Sequence, residues 1–213
     1  MDRRQFTQNL ALTGVGLSLG ATTWAQTPFT EGRDYVRLST PVATSTPGKI
    51  DVIEFFWYGC PHCNSFEPML DAWVHKLPSD VAFRRVPVSF TAMHELHARM
   101  FYAIEALGLL ETLHRRVFAA MHVQRKRLDK EADILAFVAE QGADRAKFAD
   151  AMKSFGVATK MRQARSLSDG YKIDGVPALG VHGRFYTSGS LANGLERSLL
   201  VSDHLIQLAR KVR

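Results

Sequence analysis

The chain carries two cysteines, and they stand two residues apart in the run Cys60-Pro61-His62-Cys63. A pair at that spacing can exchange a disulfide, contribute to a metal site or anchor a haem. Half a zinc site calls for a second cysteine pair, which is missing here. Covalent haem calls for a His directly after the second Cys, where Asn64 stands. A structural staple is also a weak reading, because so small a loop removes little entropy from the unfolded chain. Thiol–disulfide exchange is the chemistry the pair fits best.

The neighbouring residues favour that reading. Pro61 suits the first position of a helix, where its missing N–H leaves nothing unpaired. Cys60 then sits at the helix start, facing the unpaired N–H groups and the positive end of the dipole. Both stabilise a thiolate and lower its pKa, and a protonated His62 would add charge of the same sign. Cys63 lies one turn deeper, with its sulfur on the same side of the helix, and is the natural resolving thiol. A stabilised thiolate favours the reduced pair, which makes the disulfide an oxidant of other proteins.

Two further positions stand out. Glu54 lies in an apolar run six residues before Cys60. Buried there, its carboxyl would have a raised pKa and could pass a proton to or from Cys63; at an edge it would simply reach water. Val176-Pro177 precedes a strand. A cis bond there would leave the Val176 N–H and C=O free to pair with an extended peptide, although most X-Pro bonds are trans.

The elements that must hold these residues follow from periodicity. Ile50–Tyr58 reads as a buried strand, apolar on both faces. A helix after Cys60 repeats Phe66, Met69, Leu70, Trp73 and Leu77, contains Pro68 and stops at Pro78. Val81–Val88 reads as a strand whose Pro87 marks an end or an edge. A short strand is expected over Tyr35–Leu38. Helices are expected near Met93–Leu107, Leu110–His122, Lys130–Gln141, Arg145–Phe155, Thr159–Tyr171 and Ala192–Lys211, with Gly108, Gly142 and Gly156 at stops. Gly175 to Tyr186 reads as strand, turn and strand, turning at His182-Gly183. One sheet domain, split in sequence around a helical block, is the simplest assembly.

Residues 1–25 read as an export signal: Arg3 and Arg4, an apolar stretch from Leu10 to Ala21 too short to span a bilayer, and small residues up to a cut after Ala25. Asp2-Arg3-Arg4-Gln5-Phe6 fits a twin-arginine signal, and an ordinary Sec signal fits equally. Export sets a compartment where disulfides persist. The 213 residues carry a net charge of +6 and a pI near 9.5, which raises nucleic acid or a membrane surface as partners. The densest basic group, Arg125, Lys126 and Arg127, has no interleaved aromatics and reads as solvated surface. His94-Glu95-Leu96-His97 is one residue short of a zinc-protease helix and reads as surface or interface histidines. Phe101, Ile104 and Leu107 read as core. Phe90, Met93 and Met100 fit core better than a client groove.

Glu54-Phe55-Phe56-Trp57-Tyr58-Gly59-Cys60-Pro61-His62-Cys63, with Gly175-Val176-Pro177-Ala178 far downstream, resembles the DsbA family of periplasmic disulfide oxidases. The resemblance implies an α/β thioredoxin fold with an inserted α-helical domain. Its parts would be 26–90 and 159–213 for the thioredoxin-like domain and 91–158 for the insert. It implies Cys60 as nucleophile, Cys63 as resolving thiol, His62 as the residue that tunes the thiolate, and Pro177 as a cis-proline facing the disulfide. It implies no metal and no diffusible cofactor. Expected partners are unfolded exported proteins with free thiols and a quinone-linked membrane oxidase of the DsbB type. No dimerisation module is visible, so a monomer is expected. A reductase or isomerase on the same fold, and a peptide-binding holdase, are the competing readings.

Overall fold

A computed structural model describes residues 29–212. The expected signal segment, its cleavage site and Arg213 lie outside the described residues. The elements run β1 (Val36–Arg37), β2 (Ile50–Phe56), α1 (Pro61–Val74), β3 (Val81–Pro87), α2 (Ala92–Ala106), α3 (Leu110–His122), α4 (Glu131–Glu140), α5 (Arg145–Lys153), α6 (Phe155–Tyr171), β4 (Ala178–Val181), β5 (Phe185–Ser188) and α7 (Leu195–Val212).

The strands form one mixed sheet in the order β1-β5-β4-β2-β3. β2 is central, parallel to β3 and antiparallel to β4. All seven of its residues are buried, which explains why five of them are apolar and makes Asp51 and Glu54 stand out. Ile50 and Val52 join the core beneath α7 with Val201, Leu205 and Ile206. Ile53 and Phe55 join a larger core that runs into the helical segment through Phe101, Ile104, Val117 and Phe118. Everything between β3 and β4 is helix and connection, so the helical block interrupts the sheet as expected. β3 is an edge strand and ends on Pro87, which satisfies both readings of that proline.

Several boundaries differ from the sequence expectation for local reasons. β2 ends at Phe56 because the chain turns, with the Cys60 N–H donating to the Trp57 carbonyl at 3.0 Å. α5 and α6 meet at Ser154, whose extended backbone ends one helix while its hydroxyl accepts from the Val157 N–H to start the next. Gly156 therefore sits in a first turn, not at a stop. α7 begins at Leu195 rather than Ala192, after a loop in which Gly194 has φ +143°. The β4–β5 turn falls at His182-Gly183, both with positive φ. At Gly183 a Cβ would lie 1.9 Å from the Val42 carbonyl oxygen, so only glycine fits there.

Candidate active site

The chain after β2 turns directly into α1, and Cys60 is the N-cap of that helix. Its backbone is extended, Pro61 opens the helix, and the Cys63 N–H donates to the Cys60 Sγ at 3.4 Å. Both cysteines are free thiols. They differ in depth: Cys60 keeps 7% of its surface and Cys63 none.

That difference divides their chemistry. The Cys60 thiol is brought down from 9.0 to about 6, first by a hydrogen bond from the Cys63 thiol, then by the N–H groups of Cys63 and His62 and by the charge of His62, against a burial effect. The Cys63 thiol is driven far above its ordinary range by burial first, by its bond to Cys60 next, and by the charge of Glu54. One thiol is built to ionise and the other to stay protonated.

The Val176-Pro177 bond is cis. It sets the Val176 carbonyl 3.5 Å from the Cys60 Sγ, within reach of the thiol as donor. Beside it runs a groove of about 590 Å³ lined by His62, Val176, Pro177, Tyr186, Leu191 and Leu195, among others. On another side, Trp57 stacks on His94 with ring centres 4.2 Å apart, and Phe90 packs against His94. Phe90 keeps 45% of its surface, so it is not core, while Met100 is fully buried. Gly59 makes room for the Trp57 ring, which a Cβ would meet at 2.4 Å.

Glu54 is fully buried in the central strand, so the edge alternative does not apply. The β2–β3 register puts it opposite Arg85, whose Nε lies 3.1 Å from its Oε2. Neither Glu54 oxygen makes a hydrogen bond among the described residues. Burial first, and the charge of Glu67 second, push its carboxyl well above the usual range; Arg85 opposes them.

Glu67, Arg85, His114 and Tyr58 complete this cluster, and the sequence reading missed all four. Arg85 donates through Nε and Nη2 to the two oxygens of Glu67, at 3.1 and 3.0 Å. His114 Nε2 lies 3.1 Å from Glu67 Oε1, and its Nδ1 lies 2.9 Å from the Tyr58 hydroxyl. Glu67 was findable, because it follows Cys63 by four residues and so shares its buried helix face. His97 needs correction as well. It is buried, accepts from the Trp57 indole N–H at 3.0 Å and lies 2.9 Å from the Leu128 carbonyl. The basic group at Arg125–Arg127 is partly satisfied locally, with Lys126 paired to Glu140 and Arg127 to Asp129.

A family model described as the DSBA-like thioredoxin domain matches residues 51–200. The thiol:disulfide interchange protein DsbA of Azotobacter vinelandii is 42% identical over 182 residues, covering 85% of each chain. That of Bordetella pertussis is 41% identical over 214 residues, covering 99% of this chain and all of the relative. The crystal structure of Pseudomonas aeruginosa DsbA superposes with a TM-score of 0.83 at 40% identity, covering 86% of this chain and 96% of that one. DsbA from Xylella fastidiosa does so with a TM-score of 0.80 at 28% identity, covering 85% and 98%. Matched by the family model over most of its length and about 40% identical to the first three of these relatives over most of theirs, the chain belongs to the DsbA-like family of thioredoxin-fold thiol:disulfide oxidoreductases.

Proposed function

We propose that the chain donates the Cys60–Cys63 disulfide to newly exported proteins in the periplasm. A client thiolate attacks the Cys60 Sγ of the oxidised pair. A client–Cys60 disulfide forms, and the Cys60–Cys63 bond breaks with its electron pair going to Cys63. Cys63 takes a proton, and the buried carboxyl of Glu54 is its donor in this reading. The client's second thiolate then attacks the client sulfur of the mixed disulfide, and Cys60 leaves as a thiolate. The client loses two electrons and the pair gains them, so no metal or diffusible cofactor is required. Reoxidation falls to a membrane oxidase of the DsbB type linked to quinone.

One observation carries the direction of transfer: Cys60 caps α1 and its Sγ accepts from the Cys63 thiol and from the Cys63 N–H at 3.4 Å, an arrangement that lowers the Cys60 thiol to about 6 and so favours the reduced pair. The groove beside Val176 supports extended clients pairing with that backbone edge, with His62 at its rim. Two measurements test the reading. Equilibration with glutathione should leave the pair reduced under conditions in which ordinary structural disulfides persist, and a strongly reducing potential would point to a reductase instead. Cys60→Ser should abolish oxidation of a reduced, unfolded substrate; a rate equal to the parent's removes Cys60 from the reaction.

A further inference from the structure

The buried cluster under Cys63 contains two carboxyls and one guanidinium. With both carboxyls ionised it would hold an uncompensated negative charge out of water, which is strongly unfavourable. With His114 neutral, one proton on Glu54 or Glu67 removes that charge, and the geometry favours one of the two.

Glu67 receives three hydrogen bonds, two from Arg85 and one from His114. It also lines a groove of about 710 Å³ together with Arg85 and His114, so that end of the cluster is open to water. Glu54 receives none, is fully enclosed, and has only the 3.1 Å ion-pair approach of an Arg85 Nε whose N–H is aimed at Glu67.

His114 fixes that aim. The Tyr58 hydroxyl is buried and its ionisation is suppressed, by burial first, so it remains a donor. Burial also lowers the His114 pKa, which favours the neutral ring; with the Tyr58 hydroxyl then donating to Nδ1, the ring proton falls on Nε2, facing Glu67. The ring is wedged edge-on among Phe56, Phe101 and Phe118 and cannot turn away. The other charged groups around it are Asp71 on α1, paired with Arg115 on α3, and Arg85 on β3. Glu54 is faced by Glu67, Arg85 and the two cysteines.

We propose that His114 is a positioning residue for disulfide exchange: by donating to Glu67 it holds the Arg85 fork on that carboxylate and leaves Glu54 as the carboxyl that keeps the buried proton. This rests on the reading of Glu54 as the proton donor to Cys63. Without the His114 donor, Glu67 loses one of its three bonds, Arg85 is released toward Glu54, and Glu54 ionises more easily.

The test uses the full mature protein with His114→Phe, which keeps an aromatic ring in the cage, and His114→Gln, which restores a donor and an acceptor. The pH profile of single-turnover exchange with a dithiol peptide is one readout. In His114→Phe its alkaline fall should move down by about one pH unit, a tenfold change in ionisation, and His114→Gln should recover most of that shift. The infrared carbonyl band of a protonated buried carboxyl is the second readout. In the parent the band should vanish in Glu54→Gln and persist in Glu67→Gln; in His114→Phe the Glu54 share of the band should fall. A parent band that vanishes in Glu67→Gln overturns the assignment without any His114 variant. An unshifted profile and unchanged band in His114→Phe overturn the role of His114. A Glu54→Gln profile identical to the parent's defeats only the proton-donor reading, while the band still decides the partition.

Discussion

The lowered pKa of Cys60 makes the stability of the reduced protein depend on pH in a way the oxidised protein cannot share. The perturbation is oxidation itself, which removes the thiolate and leaves almost every other titrating group in place. The folded-state pKa is about 6 against an ordinary 9.0. A depressed pKa stabilises the fold above the unfolded value, and that stability is lost as pH falls through the folded value. Full ionisation would be worth roughly 4 kcal/mol above pH 9, at about 1.4 kcal/mol per unit. At pH 7 only about 1.4 kcal/mol of this is realised, and solvent screening at the partly wetted sulfur trims it to about 1 kcal/mol.

For a chain of this size about 1 kcal/mol corresponds to roughly 2–4 °C in Tm. The assay is a pair of thermal or urea melts, reduced against oxidised, from pH 4.5 to pH 9. Below pH 5 the difference between the forms should be constant. From pH 6 upward it should shift steadily in favour of the reduced form, by about 1 kcal/mol per pH unit near pH 8. Buried groups such as Glu67 and His114 titrate in both forms and largely cancel. A difference that stays flat from pH 5 to pH 9 would refute the claim that the fold stabilises the Cys60 thiolate.

Three further outcomes are expected. Presented with a disulfide-bonded client, Cys63→Ala should attack it through Cys60, the client's other sulfur leaving as a thiolate, and hold a client–Cys60 disulfide that persists on non-reducing gels; release as prompt as the parent's would remove Cys63 as the resolving thiol. Gly59→Ala should lower stability by about 1–3 kcal/mol, because its Cβ meets the Trp57 ring at 2.4 Å, and an unchanged urea midpoint would show that the ring gives way freely. Arg85→Met should cost about 3–5 kcal/mol near pH 7 by leaving a buried carboxylate without its cation, with the loss shrinking toward pH 4 as Glu67 takes up a proton; a loss independent of pH would point to packing instead.

The parts of the site readable in sequence are those whose reasons are local. Pro61 marks the first helical residue, so it places Cys60 at the cap and Cys63 one turn in. Glu54 is conspicuous because the residues around it are apolar. Arg85, by contrast, meets Glu54 only through the pairing of two parallel strands, and that register depends on where α1 delivers the chain. His114 arrives from α3, 47 residues beyond Glu67. Neither Arg85 nor His114 sits in a pattern that names its partner. His97 is different. It precedes Phe101 by four residues and Ile104 by seven, so it shares the stripe already assigned to the core. The reading as a surface or interface residue holds only in its second half, since His97 is buried between Trp57 and the Leu128 carbonyl.

The cluster beneath Cys63 also has an energetic oddity. Replacing a buried ion pair by apolar residues of similar volume is often neutral or stabilising. Stability alone is therefore a poor reason to hold Glu54, Glu67, Arg85 and His114 in a core that includes Phe56, Phe101 and Phe118. Disulfide exchange supplies a better one. The step that breaks the Cys60–Cys63 bond puts negative charge on the more deeply buried sulfur, which keeps none of its surface exposed. A carboxyl kept protonated at the same depth can discharge it, whereas one already ionised would repel it. The depth that raises Cys63 also raises Glu54, and the Arg85 N–H groups are aimed at Glu67 although its Nε lies 3.1 Å from an oxygen of each carboxyl. The two thiols thus acquire opposite ionisation behaviour from one helical turn of depth, and on the mechanism proposed above the buried polar cluster is what supplies the deeper one with a proton.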